Sequence, residues 1–173
     1  MPHPLVVQLQ FTRSEFERAL KNVSAEDALR RFEPMNCISW IIGHLACQEQ
    51  RYWLTHPQGL MPAPEVNICE SGQPATSPPL DEMWTAWHRV TEMSNTWLDA
   101  LDSETLLTHT LNQRKPHEPY AESIGTRLRR TTYHYWYHMG ESQAIRQLLG
   151  HSRLGAFVGN LGGKAPYVRE ETP

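Results

Sequence analysis

Residues 131–151 have the sequence TTYHYWYHMGESQAIRQLLGH, which predicts the C-terminal part of a long helix. Gly150 follows the last leucines, and glycine is common directly after a helix. Residues four apart on a helix share a face, with Cβ atoms roughly 5–6 Å apart, so His134 and His138 can both reach one metal ion. Glu141 falls on the same side. The stretch therefore brings two imidazoles and a carboxylate together.

Apolar residues at helical spacing recur through most of the chain, and no stretch has the alternation of a convincing strand. Ser24 is the predicted N-cap of a short turn after the first helix. Asn36 is the predicted N-cap of the second long helix, and Ser77, followed by Pro78, that of the third. The predicted helices cover residues 4–23, 25–31, 36–56, 77–101 and 122–149.

Four long helices predict an all-α fold, a four-helix bundle. Residues 57–79 are rich in proline and predict a long irregular connection between helices two and three. The length of 173 residues favours one domain, with residues 1–151 as the bundle. Residues 152–173 predict an irregular tail that packs on the bundle or on a partner. This glycine-rich tail is a candidate contact between two copies, so we expect a homodimer.

Composition and charge exclude several classes of protein. The net charge of −3 offers no basic surface for nucleic acid. No apolar run reaches the roughly 18 residues that a membrane span needs. The three cysteines form no CxxC pair, and the N-terminus has no features of a secretory signal. We therefore expect a cytoplasmic protein that binds neither nucleic acid nor membrane.

The histidine pair on the last helix needs a third ligand, because a metal site that performs chemistry has about three protein ligands and an open position. His44 is the best candidate, since it lies within the second helix on the apolar face that carries Trp40. An unsatisfied buried imidazole costs on the order of 1–3 kcal/mol. For His44 alone, a hydrogen bond to a tyrosine or a carbonyl is the simpler explanation, but the pair at His134 and His138 favours a metal.

Other catalytic motifs do not occur in the sequence. Zinc proteases of the HExxH type need a glutamate directly after the first histidine, where this chain has Tyr135. Di-iron bundles need Glu-x-x-His, and no histidine here has a glutamate three residues before it. The nucleophile elbow GxSxG and the phosphate-binding Walker and GxGxxG loops are also missing. These classes are excluded.

Two segments resemble the DinB/YfiT-like superfamily of metal-dependent proteins: NCISWIIGHLACQEQRYW at 36–53 and HYWYHMGESQAIRQLLGH at 134–151. The resemblance spans most of the chain and implies a four-helix bundle with its helices in up-down-down-up order. It also implies a divalent ion, often nickel or zinc, held by one histidine of the second helix and the H-x-x-x-H pair of the last. By position these ligands are His44, His134 and His138.

The resemblance leaves the role of Glu141 open. Relatives often continue the last motif as H-x-G-Q, whereas this chain has a glutamate in place of the glutamine. Glu141 is therefore a candidate hydrogen-bond acceptor for a ligating imidazole, a fourth ligand or a general base, and we take it as the candidate catalytic residue.

Relatives include a maleylpyruvate isomerase that uses mycothiol and transferases that use bacillithiol, so a low-molecular-weight thiol is an expected co-substrate. The resemblance implies a metal-dependent enzyme, either a thiol-dependent transferase or a hydrolase, acting on a small molecule. The alternative is a non-catalytic bundle that binds a ligand and holds a structural metal or none.

Overall fold

The computed structural model describes residues 2–112 and 115–168, and most of these residues are helical, as predicted. None of the described helices is long and apolar enough to span a membrane. The long helices are α1 (Pro4–Leu20), α3 (Ile38–Glu49), α5 (Leu80–Leu98) and α7 (Ile124–Leu148). The short helices are α2 (Ala25–Leu29), α4 (His56–Gln58), α6 (Ser103–Leu107) and α8 (Leu161–Lys164).

One irregular helical segment precedes the predicted connection and another lies within it. α3 continues directly into a π-helical segment, Gln50–Thr55, in place of the regular helix that the sequence predicted. A 3₁₀ turn, Pro64–Cys69, lies inside the proline-rich connection and packs on α3. The connection is therefore partly ordered against the helix that carries His44.

A small antiparallel hairpin contradicts the expectation of a chain without strands. β1 (Leu111–Asn112) pairs with β2 (Lys115–Pro119), with a register shift between the two residues of β1. Strands this short cannot show the alternation of apolar and polar residues on which a sequence-based prediction depends.

Several predicted helix boundaries are wrong by one to three residues. α1 ends at Leu20, since Lys21 has a ψ of 133° and Asn22 then adopts a left-handed conformation with φ of 66°. α5 begins only after Pro79, since a residue that precedes a proline disfavours helical angles, and Pro78 is such a residue. Cys37, rather than Asn36, is the N-cap of α3.

The long helices bury a core that is rich in aromatic side chains. α1 packs on α7, and α3 packs on both α5 and α7. Phe16, Trp53 and Tyr135 are completely buried, and Trp87 is nearly so. The order and direction of the helices in the up-down-down-up arrangement stay a prediction.

The segment after α7 contacts α1 within the described residues. The backbone N–H of Gly159 donates to Glu15 over 2.7 Å, and Arg18 donates to the carbonyl of Ala156 over 2.7 Å. Residues 169–173 of the predicted tail lie outside the described residues. The division of the chain into a bundle and a tail stays a prediction.

A buried polar network joins all four long helices at the centre of the core. The guanidinium of Arg13 on α1 forms two hydrogen bonds with the carboxylate of Glu49 on α3. The hydroxyl of Tyr135 on α7 donates to the same carboxylate over 2.7 Å and accepts from the indole N–H of Trp87 on α5 over 2.7 Å. Burial raises the pKa of Tyr135 well above its ordinary value, so its hydroxyl stays a donor.

Gly43 allows the 3₁₀ turn to lie against α3. A Cβ atom at this position would come within 2.7 Å of Sγ of Cys69 and 2.5 Å of Sδ of Met83. The close approach places the backbone of Cys69 beside the next residue of α3, which is His44.

Candidate metal centre

The three histidines that were predicted as ligands from the sequence lie together at the interface of α3 and α7. Nε2 of His134 is 3.2 Å from Nε2 of His44 and 3.0 Å from Nε2 of His138. The candidate ligand atoms all lie within 4.8 Å of one another, and they form a group that could hold a metal ion. Their role as ligands stays a prediction.

A backbone carbonyl determines the tautomer of His44. Its Nδ1 lies 2.8 Å from the carbonyl oxygen of Cys69, which can only accept a hydrogen bond. Nδ1 of His44 therefore carries the proton, and Nε2 of the neutral ring presents a lone pair. This is the tautomer that binds a metal through Nε2.

The histidines of α7 have the same arrangement. Nδ1 of His134 donates to Oε1 of Gln48 over 2.8 Å, and Nδ1 of His138 donates to Oε2 of Glu141 over 2.7 Å. Each acceptor leaves an unprotonated Nε2 on the neutral ring. Three Nε2 lone pairs thus face a common point, and each ring is oriented from behind by an oxygen acceptor, as in many protein metal sites.

The separations of these nitrogen atoms fit a divalent ion. Two Zn–N bonds of about 2.0–2.1 Å at a tetrahedral angle place their nitrogens about 3.3 Å apart. The separations of 3.0 and 3.2 Å in the structure are slightly smaller. Without a cation between them, three lone pairs at this distance repel one another, so a bound ion would replace repulsion by coordination.

Burial keeps the imidazoles of His44 and His134 neutral. It lowers the pKa of His44 to about 4, against the favourable effect of the hydrogen bond to Cys69. It lowers the pKa of His134 to about 3, and repulsion from the two neighbouring histidines adds to the effect. Neutral imidazole is the form that ligates, so both rings are ready to bind a metal at neutral pH.

The cluster is buried but accessible from one side. His44 is 9 % exposed and His138 is 8 % exposed. The ring of Trp40 stacks on that of His44, with centroids 4.7 Å apart, and shields one face of it. A cavity of about 140 Å³ is lined by His44, His134 and Gln48, so a small molecule can approach the nitrogen cluster.

Two groups that orient the ligands were not predicted in that role from the sequence. Gln48 lies one helical turn after His44, and this spacing was a usable signal, although its partner is on α7. The carbonyl of Cys69 left no signal, because its position depends on how the proline-rich connection folds. Among the described residues, the cluster at His44 is the one such group of histidine, cysteine and acidic side chains.

The sequence also matches a known protein family. A model of the DinB superfamily matches residues 8–142. The chain belongs to the DinB superfamily. The matched range of this DinB protein includes His44, His134 and His138, as well as Glu141. No curated protein matches the chain.

Proposed function

We propose that this DinB protein binds one divalent ion through Nε2 of His44, His134 and His138, and that it uses the ion in an enzymatic reaction. The convergence of three unprotonated nitrogens, each with an acceptor behind it, is the observation that supports the proposal. Zinc or nickel is the expected metal, because imidazole ligands suit both.

The reaction we propose is a transfer of a low-molecular-weight thiol to a small molecule, or a hydrolysis. A divalent ion with an open position lowers the pKa of a thiol or a water molecule and so supplies a nucleophile. The chain itself orients the three rings and excludes water from the face that Trp40 covers. The cavity beside His44 and His134 supplies the approach for the reactant.

For Glu141 we propose a positioning role. One of its oxygens accepts the proton of His138 Nδ1, on the opposite side of the ring from the nitrogen cluster. A carboxylate in this position increases the basicity of the imidazole and holds its orientation. The other two roles, fourth ligand and general base, stay predictions from the sequence.

Metal analysis of untagged protein tests the metal site. We expect about one zinc or nickel ion per chain, and loss of the ion in the variants His44→Ala and His138→Ala. His88→Ala is the matched control, because His88 is an exposed histidine whose nearest acidic partner is Glu17 at 3.6 Å. Protein that binds no divalent ion after incubation with zinc, or variants that bind as the wild type does, would overturn the proposal.

Two substitutions test the role of Glu141. Glu141→Ala removes the acceptor, and we expect zinc affinity to fall roughly 10–100-fold, the usual effect of losing such a partner. Glu141→Gln retains an oxygen acceptor, so its affinity should stay within about threefold of the wild type. Equal losses in both variants, measured by competition with a chelator, would favour direct ligation and contradict the positioning role.

Cobalt substitution separates the enzymatic proposal from a structural metal. Addition of 2-mercaptoethanol to the cobalt protein should produce a thiolate-to-metal charge-transfer band, since an open position admits a thiol. If the spectrum responds to neither thiol nor hydroxamate, the ion has no accessible position, and a structural metal explains the site better. A homodimer also stays a prediction, which light scattering at micromolar concentration tests.

A further inference from the structure

A second and larger cavity adjoins the metal centre. Its volume is about 530 Å³, within the range of typical small-molecule sites. The side chains that line both this cavity and the smaller one beside His44 are Cys47, Arg51, Tyr52 and Glu70. The two cavities therefore adjoin each other at these four side chains, and a molecule bound in the larger cavity lies next to the one that His44 and His134 line.

The π-helical segment forms one wall of this larger cavity. Gln50, Arg51, Tyr52 and Thr55 all line it. The amide of Gln50 accepts from the backbone N–H of Ala63 and donates to its carbonyl, which braces the wall from behind. π-helical turns occur frequently at functional sites, where they redirect side chains.

A buried arginine contacts two tyrosine side chains that line this cavity. Arg127 is 2 % exposed, and its guanidinium stacks on the ring of Tyr120 at 3.8 Å and faces the ring of Tyr52 at 5.1 Å. It donates to the hydroxyl of Thr110 over 2.8 Å. Within the described part of the chain, no acidic group forms an ion pair with Arg127. A buried charge of this kind attracts an anion to its surroundings.

Arg127 contacts His56, and His56 in turn contacts Tyr120, which lines the cavity. An N–H of Arg127 lies 3.5 Å from Nδ1 of His56, which favours the tautomer of His56 that carries its proton on Nε2. Nε2 of His56 then donates to the hydroxyl oxygen of Tyr120, 3.1 Å away. In this tautomer the hydroxyl hydrogen of Tyr120 forms no hydrogen bond with His56, so it can donate to a ligand in the cavity that Tyr120 lines.

We propose that the larger cavity binds a small organic carboxylate, with the hydroxyl of Tyr120 donating to one oxygen and Arg51 contacting the other. This inference rests on the proposed function, because it identifies the anionic group of the substrate that the metal centre would act on. Arg51 already pairs with Glu70 over 2.6 Å, but a guanidinium has five N–H donors and can serve a second acceptor. Two donor groups suit a carboxylate better than a phosphate, which needs more.

Matched probes test the charge requirement on the full chain. Phenylacetate has a ring that can pack on Tyr52 and a carboxylate one carbon away, and phenylacetamide is its neutral counterpart. We expect calorimetry and saturation-transfer NMR to give at least about tenfold tighter binding for phenylacetate, because its hydrogen bonds are charge-assisted. Equal affinity for the two probes, or tighter binding of inorganic phosphate, would overturn the proposal.

Substitutions locate the carboxylate. Tyr120→Phe and Arg51→Gln should each weaken phenylacetate binding about tenfold, and Tyr133→Phe, at a tyrosine that is 67 % exposed, should leave it unchanged. Zinc affinity should be the same in all three variants. If phenylacetate binds only in the presence of zinc and binds equally well to Tyr120→Phe and the wild type, the ion alone holds the carboxylate and the proposal fails.

The same titrations separate this inference from the proposed function. Zinc binding without a preference for phenylacetate refutes the carboxylate pocket and leaves the metal centre intact. A preference for phenylacetate in a protein that binds no zinc supports the pocket and refutes the metal centre.

Discussion

Removal of Arg13 should strongly destabilise the protein. The carboxylate of Glu49 is completely buried, and two hydrogen bonds to it come from Arg13. In Arg13→Met, Glu49 would retain the hydroxyl of Tyr135 as its donor, over 2.7 Å. Arg13 also donates to Ser94 over 3.0 Å, and this hydroxyl would lose a partner as well.

The expected magnitude follows from the uncompensated charge. Breaking a buried ion pair by removing one partner costs about 3–5 kcal/mol, far more than the loss of one neutral hydrogen bond. For a chain of this length, each kcal/mol corresponds to about 2–4 °C, so the melting temperature should fall by roughly 6–20 °C. Urea denaturation of wild type and Arg13→Met measures the difference in the free energy of unfolding.

A double variant separates the charge from the packing. In Arg13→Met combined with Glu49→Gln, the buried carboxylate is replaced by a neutral amide, and we expect recovery of at least about 2 kcal/mol relative to the single variant. A loss below about 1 kcal/mol in the single variant, or a double variant that is no more stable, would refute the reasoning that a buried charge dominates.

Two further predictions concern the surroundings of the metal centre. Gly43→Ala should destabilise the protein by about 1–3 kcal/mol and weaken zinc binding, because the new Cβ would lie 2.7 Å from Sγ of Cys69. Gly140→Ala is the control, because an added Cβ there would meet no packed neighbour within 4 Å. This variant should stabilise α7 by about 0.5–1 kcal/mol in thermal melts. The stability of chelator-treated protein should fall as the pH decreases from 7 to 5. The pKa values of His44 and His134, about 4 and about 3, lie below their ordinary 6.5, so the unfolded chain takes up protons first. A melting temperature that is constant or rises over this interval would contradict the effect.

The two candidate ligands that lie on the same helix, His134 and His138, could be predicted from the sequence. The i and i+4 spacing of His134 and His138 places them on one face of a helix regardless of the rest of the fold. His44 required more, because its distance from the pair depends on how α3 and α7 pack. Its apolar neighbours and the family resemblance together identified it, and the structure brings its Nε2 to 3.2 Å from that of His134.

Features that depend on irregular backbone could not be predicted. The carbonyl of Cys69 reaches His44 only because the 3₁₀ turn packs on α3 at a glycine. The non-helical backbone at Lys21 and Asn22 and the start of α5 after Pro79 make these helices shorter than their apolar spacing predicted. The larger cavity likewise escaped prediction, since Tyr120 follows a hairpin that has no sequence signal.

The π-helical segment has a consequence for how this protein could change its substrate. A π-helical turn corresponds to one residue inserted into an α-helix, and here it begins after the last residue of α3 that supports the metal centre. Deletion of one residue between Gln50 and Thr55 would rotate the wall of the larger cavity and leave His44 and Gln48 in register with α7. A change of length in this segment could therefore alter what the larger cavity binds and retain the chemistry of the proposed metal ion.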